Sequence, residues 1–169
     1  LGKPELQHFA EQLDKIIESY PEELKNYQDR HAAREENVNS NFVRALPAGW
    51  NKAGFDDAAW KEMDLPRHWE SAGVYLDGEM VFRKTIQIPK AWEGQDLNLK
   101  LGPIDDIDKT YLNGQQVGVT RGWSIPRKYR IPGAQVKAGA ATLAVRVVDS
   151  GGQGGFHGKP EQLFLEPVA

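Results

Sequence analysis

Glycine and proline interrupt the chain about every ten residues from Asn41 onward, and the short runs between them are rich in β-branched and aromatic residues. This punctuation is typical of an all-β domain. The runs at 81–88, 96–101 and 141–148 are predicted strands, and apolar and polar residues alternate in the second run as a half-buried strand requires. Six to eight short strands with no helix between them predict a β-sandwich or jelly roll over residues 41–169.

A turn signal lies inside the predicted β domain. Asn113 and Gly114 separate two predicted strands, and both residue types tolerate the positive φ angles of a tight hairpin turn. The sequence therefore predicts a hairpin across residues 111–117. A last apolar run at 163–165 closes the predicted set of strands.

Residues 1–40 follow a different period. Their apolar side chains recur at spacings of three and four, which predicts an amphipathic helix with one apolar stripe. The stripe consists of Leu6, Phe9, Leu13, Ile16, Ile17, Tyr20, Leu24 and Tyr27. Pro21 predicts a break or kink within it. We therefore divide the chain into a helical leader, 1–40, and a β domain, 41–169.

Composition excludes several classes of function. The 21 Lys and Arg against 24 Asp and Glu give a net charge of −3, so nucleic acid and anionic membranes are not expected partners. Without cysteine there is no disulfide and no thiol nucleophile. The sequence has no apolar run of membrane-spanning length and begins with neither Met nor a signal peptide, so we expect it to be part of a longer protein.

Three carboxylates precede the predicted hairpin. Asp105, Asp106 and Asp108 offer hard oxygen ligands, but their spacing lacks the glycine and glutamate of an EF-hand loop. Alternation places Asp106 and Asp108 on one face, where a cation such as Arg127, Lys128 or Arg130 would offset the repulsion between them. Calcium binding, a structural ion-pair cluster and ligand contact all remain open, and we predict no metal and no cofactor.

Two further features suggest contact with a ligand or partner. Trp123 lies between Gly122 and Ser124, near several basic residues, and is the tryptophan most expected to be exposed. The glycine-rich stretch 151–159 carries His157 and lacks the ending of a phosphate-binding loop. No catalytic residue is predicted. The candidate contact residues are Asp105, Asp106, Asp108, Trp123, Arg127 and His157.

Five segments together carry a family resemblance. They are residues 55–71 (FDDAAWKEMDLPRHWES), 81–89 (VFRKTIQIP), 101–118 (LGPIDDIDKTYLNGQQVG), 125–149 (IPRKYRIPGAQVKAGAATLAVRVVD) and 150–158 (SGGQGGFHG). As a set they resemble the jelly-roll domain inserted in bacterial sialate O-acetylesterases. More loosely, the Phe-Asp-Asp-x-x-Trp motif, the Asn-Gly turn and Gly-x-x-x-Leu-x-Val-x-Val are similar to the sugar-binding jelly roll of glycoside hydrolase family 2, which has a galactose-binding-like fold.

The resemblance implies a non-catalytic accessory domain of a secreted carbohydrate esterase that removes O-acetyl groups from sialic acids. Catalysis in that family belongs to an SGNH hydrolase domain, whose Gly-Asp-Ser and Asp-x-x-His motifs are missing from this sequence. The implied partner is that hydrolase domain, against which the apolar stripe of residues 1–40 would pack. The implied location is periplasmic or extracellular.

Two functional hypotheses follow, and a third is kept because it is easily tested. In the first, the domain positions or shapes the hydrolase domain. In the second, it is a carbohydrate-binding module whose loops at 105–108, 123–130 and 151–157 hold an acidic sugar, with Arg127 pairing with the sugar carboxylate. In the third, the chain is itself an esterase that uses Ser150, although Val148 replaces the leading glycine of a serine-protease nucleophile loop.

Overall fold

The structure is a computed structural model that describes residues 20–22, 24–25 and 46–168. The chain divides into two units, Leu1–Asn41 and Phe42–Ala169. In the first unit, residues 20–22 and 24–25 are helical, and the remainder of the predicted leader lies outside the described residues. Its apolar stripe and the kink at Pro21 therefore stay predictions. Within the described ranges, no helix is both long and apolar enough to cross a membrane.

The described part of the second unit contains eight strands and four short 3-10 helices. The strands are β1 (Gly78–Ile88), β2 (Leu97–Asp105), β3 (Ile107–Leu112), β4 (Gln115–Arg121), β5 (Pro126–Ile131), β6 (Gly139–Asp149), β7 (Gly155–Phe156) and β8 (Leu163–Pro167). The 3-10 helices are Trp69–Ala72, Lys90–Trp92, Gly133–Gln135 and Pro160–Gln162. The six strands predicted from the sequence, two of them in the hairpin, all occur, and β5 and β7 were not predicted.

The strands form two antiparallel sheets. One has the order β1-β6-β3-β4. In the other, β2 is central, with β5 along one edge and with β8 and then β7 along the opposite edge. This arrangement confirms the predicted all-β jelly-roll sandwich.

The predicted hairpin joins β3 to β4. Leu112 pairs with Gln115, so the loop consists of Asn113 and Gly114 alone. Their φ angles of 49° and 86° are both positive, as a two-residue turn between twisted strands requires. The Asn113 side chain also accepts a hydrogen bond from the backbone N–H of Thr142 on β6, which fixes the turn to the neighbouring strand.

The hydrophobic core shows how the sheets meet and where the alternation breaks. Leu97, Leu99 and Leu101 of β2 are buried on the core side, as their alternation predicts. A bulge between Lys100 and Gly102 then shifts the register against β5, and Ile104 becomes the next fully buried side chain. The inward positions therefore change from odd to even numbers before the strand ends.

Trp69 anchors the loop that covers one end of the core. Its side chain is fully buried and its indole N–H donates to the carbonyl of Leu76 at 3.1 Å. Gly154 lies directly against the indole, and a Cβ at that position would lie 2.1 Å from a ring carbon. Glycine is therefore required there for the close approach of the chain to the ring.

Candidate functional site

The sequence-predicted residues lie where strands of the two sheets end. Ile107 at the start of β3 pairs both with Val148 near the end of β6 and with Arg121 at the end of β4. The segment between β2 and β3 is held by two backbone bonds, because Asp106 donates to the Val148 carbonyl at 3.0 Å and accepts from Gly122 at 2.8 Å. Residues distant in sequence thereby become neighbours where the start of β3 meets the ends of β2, β4 and β6. We call this part of the domain the strand-end site.

Three carboxylates of the strand-end site form a group that we call the acidic cluster: Asp105, Asp106 and Asp149. One oxygen from each lies within 4.8 Å of the others. Asp149 is fully buried, whereas Asp105 and Asp106 are half-buried. Asp106 Oδ2 accepts hydrogen bonds from the Ser150 backbone N–H at 3.1 Å and from the Ser150 hydroxyl. Asp149 Oδ1 accepts from the Gly151 backbone N–H at 2.9 Å.

Burial and the charges of neighbouring carboxylates raise the pKa values of Asp105 and Asp149. Burial, followed by the hydrogen bond and charge of Asp106 and the charge of Asp149, raises the pKa of Asp105 to about 7. Burial also raises the pKa of Asp149, with the charges of Asp106, Asp77 and Glu70 acting in the same direction. The charge of Arg127 lowers the pKa of Asp105 and offsets only part of this shift. The cluster is therefore a place where either a proton or a cation is stabilised.

Beneath this site, a buried ion pair joins the two sheets. Arg127 on β5 is 1% exposed, and its Nε donates to Asp108 Oδ1 on β3 at 2.8 Å. Asp108 Oδ2 accepts from the Thr110 hydroxyl at 2.7 Å. The Tyr129 hydroxyl lies 2.8 Å from both oxygens of Asp108 and 2.9 Å from Thr120 Oγ1. Arg127 and Asp108 therefore each have a buried partner of opposite charge.

Two sequence predictions are corrected by this pair. Arg127 does not present its guanidinium to solvent, because Nη1 donates to the carbonyls of Gly122 at 2.7 Å and Ile125 at 2.5 Å, and Nη2 donates to the Asp106 carbonyl at 3.1 Å. Asp108 is likewise enclosed between the sheets. Neither side chain is placed to bind a ligand. The alternative interpretation, a structural ion pair for Asp108 with Arg127 as its cation, is the one that the structure supports.

An aromatic surface adjoins the acidic cluster. Trp123 follows Gly122 and is 60% exposed, in agreement with the prediction that it is the exposed tryptophan. The rings of Trp123 and His157 have centroids 6.1 Å apart, and His157 stacks on His68 at 5.3 Å with an interplanar angle of 10°. His157 Nε2 lies 2.6 Å from the Trp123 carbonyl. Since a carbonyl oxygen only accepts, Nε2 carries the proton in this contact.

The strand-end site therefore unites four of the six predicted residues: Asp105, Asp106, Trp123 and His157. The sequence analysis missed Asp149 and His68. Asp149 terminates a strand whose position beside β3 depends on long-range pairing, and His68 is placed by an isolated bridge to Gly155. No local pattern in the sequence signals either contact.

Ser150 is arranged differently from an activated serine nucleophile. Its hydroxyl donates to the Asp106 carboxylate. In serine hydrolases of the Ser-His-Asp type, the hydroxyl instead donates to a histidine nitrogen. The strand-end site thus contributes an exposed indole and carboxylates that accept hydrogen bonds.

Comparison with known families identifies one match. The sequence model of the family described as "Glycosyl hydrolases family 2, sugar binding domain" matches residues 23–156. No curated protein matches the chain. The looser of the two resemblances found in the sequence is thereby confirmed, and the resemblance to sialate O-acetylesterases receives no support from these comparisons.

Solved structures give the same picture of the fold. The beta-glucuronidase of Bacteroides uniformis superposes with a TM-score of 0.58 at 23% identity, over 68% of this chain and 15% of that protein. A glycosyl hydrolase family 2 member from Bacteroides cellulosilyticus DSM 14838 gives a TM-score of 0.58 at 21% identity, over 67% of this chain and 18% of that protein. The likeness is one of fold, and the chain spans less than a fifth of the length of either structure.

Proposed function

Since this chain belongs to the family of glycosyl hydrolase family 2 sugar-binding domains, we propose that it is a non-catalytic carbohydrate-binding module and that a sugar binds at the strand-end site. The observation that carries this proposal is the exposed indole of Trp123, which adjoins the His157 ring and follows Gly122, whose N–H donates to the backbone carbonyl of Asp106. Ligand sites typically combine an aromatic surface with a few polar groups that fix orientation, and this site has both.

The charge of the site favours a neutral sugar. Asp105, Asp106 and Asp149 would repel a sugar carboxylate, while Arg127, which we had expected to bind that carboxylate, is buried in its pair with Asp108. A neutral hexose avoids the repulsion, and its hydroxyl groups are suitable donors to the oxygens of Asp105 and Asp106. We therefore expect galactose to bind more tightly than sialic acid or glucuronic acid.

The parent protein is proposed to be a carbohydrate-active hydrolase with its catalytic residues in another domain. The family match favours a glycosidase parent. The five resembling segments described above favour a sialate O-acetylesterase with an SGNH hydrolase domain, and this is the second candidate. On the resemblance to the esterase family alone, we propose a periplasmic or extracellular location.

The proposal is tested by titrating the chain with galactose, glucuronic acid, sialic acid and O-acetylated sialic acid up to ~10 mM, followed by amide NMR shifts. We expect galactose to shift the resonances of Trp123 and His157 with a Kd of about 1 mM, which corresponds to about 4 kcal/mol. Trp123→Ala should weaken binding at least tenfold. The matched control is Phe164→Ala, which removes a partly exposed aromatic side chain from β8.

Three results would oppose this proposal. Equal losses in Trp123→Ala and Phe164→Ala would mean that the strand-end site is not where the sugar binds. No shifts with any sugar would favour the first hypothesis of the sequence analysis, in which the domain positions a catalytic domain without binding sugar itself. Hydrolysis of an activated acetyl ester that is lost in Ser150→Ala would overturn the non-catalytic assignment.

A further inference from the structure

The acidic cluster has an unsatisfied ligand atom that the proposed sugar site does not use. Asp149 is 0% exposed, and its Oδ2 has no hydrogen-bond partner among the described residues. A buried carboxylate oxygen without a donor is costly, because burial removes the water that would otherwise solvate it. Something other than a protein N–H or O–H group described in the structure is needed to satisfy this atom.

The distances between the carboxylate oxygens of the cluster match those around a cation that binds oxygen ligands. One oxygen each from Asp105, Asp106 and Asp149 lies within 4.8 Å of the other two. Calcium binds oxygen at about 2.3–2.6 Å, so oxygens on opposite sides of one ion are separated by at most about 5 Å. All three carboxylates can therefore reach a single ion with small side-chain movements.

Arg127, whose charge acts on Asp105, makes its own direct contacts elsewhere. The three nitrogens of its guanidinium donate to Asp108 and to backbone carbonyls. The carboxylates of Asp77 and Glu70 add further negative charge around Asp149. Asp149 is thus surrounded by other carboxylates, which a bound cation would offset.

We propose that Asp105, Asp106 and Asp149 bind a calcium ion at the strand-end site. Calcium takes six to eight oxygen ligands in a flexible geometry, so water and backbone carbonyls complete the shell around the three carboxylates. Magnesium requires a near-ideal octahedron and loses its water reluctantly, so it should bind more weakly than calcium at an irregular site. The ion replaces the repulsion within the cluster by attraction and satisfies Asp149 Oδ2.

This site replaces the calcium alternative considered from the sequence, which used Asp108 in place of Asp149. Asp108 is committed to Arg127 between the sheets, whereas Asp149 reaches the cluster from the end of β6. The inference does not depend on sugar binding, since it rests on oxygen positions and on the unpartnered Asp149. A failure of the sugar-binding proposal therefore leaves this one intact.

The test measures calcium binding and thermal unfolding of the full chain after dialysis against EDTA and then buffer at pH 7.5. We expect calorimetric titration with CaCl2 to give a Kd of about 0.1 mM, within the range of extracellular calcium modules. At 5 mM CaCl2 the unfolding midpoint should rise by about 5 °C. Equimolar MgCl2 and NaCl of matched ionic strength should produce less than half of this shift.

Variants distinguish a specific site from a general effect of salt. Asp105→Asn and Asp149→Asn should each weaken calcium binding at least tenfold, and in EDTA both should unfold at or above the wild-type midpoint, because each removes one repelling charge. Asp96→Asn is the matched control: it removes a carboxylate at the other end of β2, paired with Arg130. This control should keep the calcium affinity of the wild type.

Three results would overturn the proposal. The first is a wild-type chain whose midpoint and heats do not respond to calcium. The second is an unchanged calcium affinity in both Asp105→Asn and Asp149→Asn. The third is an affinity loss in Asp96→Asn equal to that of the cluster variants, which would indicate screening of overall charge. Because binding is measured directly by calorimetry, a variant with altered stability still gives a decisive answer.

Discussion

Replacing Arg127 by Met is expected to destabilise the domain far more than replacing Arg130 by Met. The two arginines lie three residues apart on β5 and each pairs with an aspartate. The side chains of Arg127 and Asp108 are both 0% exposed, whereas those of Arg130 and Asp96 are 67% and 36% exposed. The comparison therefore holds the chemistry of the pair and the strand constant while changing its burial.

The magnitudes follow from that difference. Removing one partner of a buried ion pair typically costs about 3–5 kcal/mol, because the remaining charge is left without compensation. The carbonyls of Gly122, Ile125 and Asp106 also lose the donors that Arg127 supplies. An exposed pair contributes about 0.2–1 kcal/mol, so Arg130→Met should fall in that range.

Urea unfolding followed by tryptophan fluorescence measures both values, provided that the m-values stay the same. The double variant Arg127→Met with Asp108→Leu supplies the further test. The double variant contains no buried carboxylate at position 108 that would need a compensating charge. It should therefore be more stable than Arg127→Met alone.

An Arg127→Met variant with wild-type stability and weaker binding of acidic sugars would refute this reasoning. It would restore Arg127 as a ligand residue that reaches solvent. Equal effects of Arg127→Met and Arg130→Met would also contradict it, because burial would then have no influence on the pair.

Three shorter predictions concern other parts of the domain. Because the pKa of Asp105 is raised to about 7 in the fold, the folded chain binds more protons than the unfolded chain between about pH 4 and 7, so stability should fall as pH rises through that window. In EDTA, Asp105→Asn should flatten this part of the pH profile of urea unfolding. Gly118→Ala would place a Cβ 2.1 Å from the ring of Tyr129 and should cost about 1–3 kcal/mol or more in the same assay. Glu79→Gln weakens a two-point contact with Arg146, whose bonds measure 2.6 and 2.5 Å, and should lower the free energy of unfolding by about 1–2 kcal/mol, less so at high salt.

The strands were predictable where local pattern decides them. Leu97, Leu99 and Leu101 alternate with polar residues because one face of β2 covers the core, and Asn113-Gly114 marks a turn through its tolerance of positive φ. The bulge at Gly102 was not predictable in this way. It depends on how β2 fits against β5, and it changes which residues point inward before Asp105 is reached.

The site was predictable only in part for a related reason. Trp123 was identified because its glycine and serine neighbours mark a loop, and loops are exposed. Asp149 was missed because its contact with Asp105 requires β6 and β3 to pair across more than thirty residues of chain, a long-range event that no local pattern encodes. Arg127 was assigned to a ligand because an inward-facing arginine breaks the apolar pattern by which core residues are recognised.

The burial of Arg127 gives it a positioning role at the site from which it is excluded as a ligand. Its Nη1 donates to the carbonyls of Gly122 and Ile125, which flank Trp123 in sequence, and its Nη2 donates to the carbonyl of Asp106 in the acidic cluster. One guanidinium thus fixes both the loop that presents the indole and the segment that presents the carboxylates. Asp108 holds that guanidinium from the opposite sheet. The ion pair therefore connects the packing of the sandwich to the geometry of the surface above it, and the exposed groups keep their spacing because the charged groups beneath them are buried.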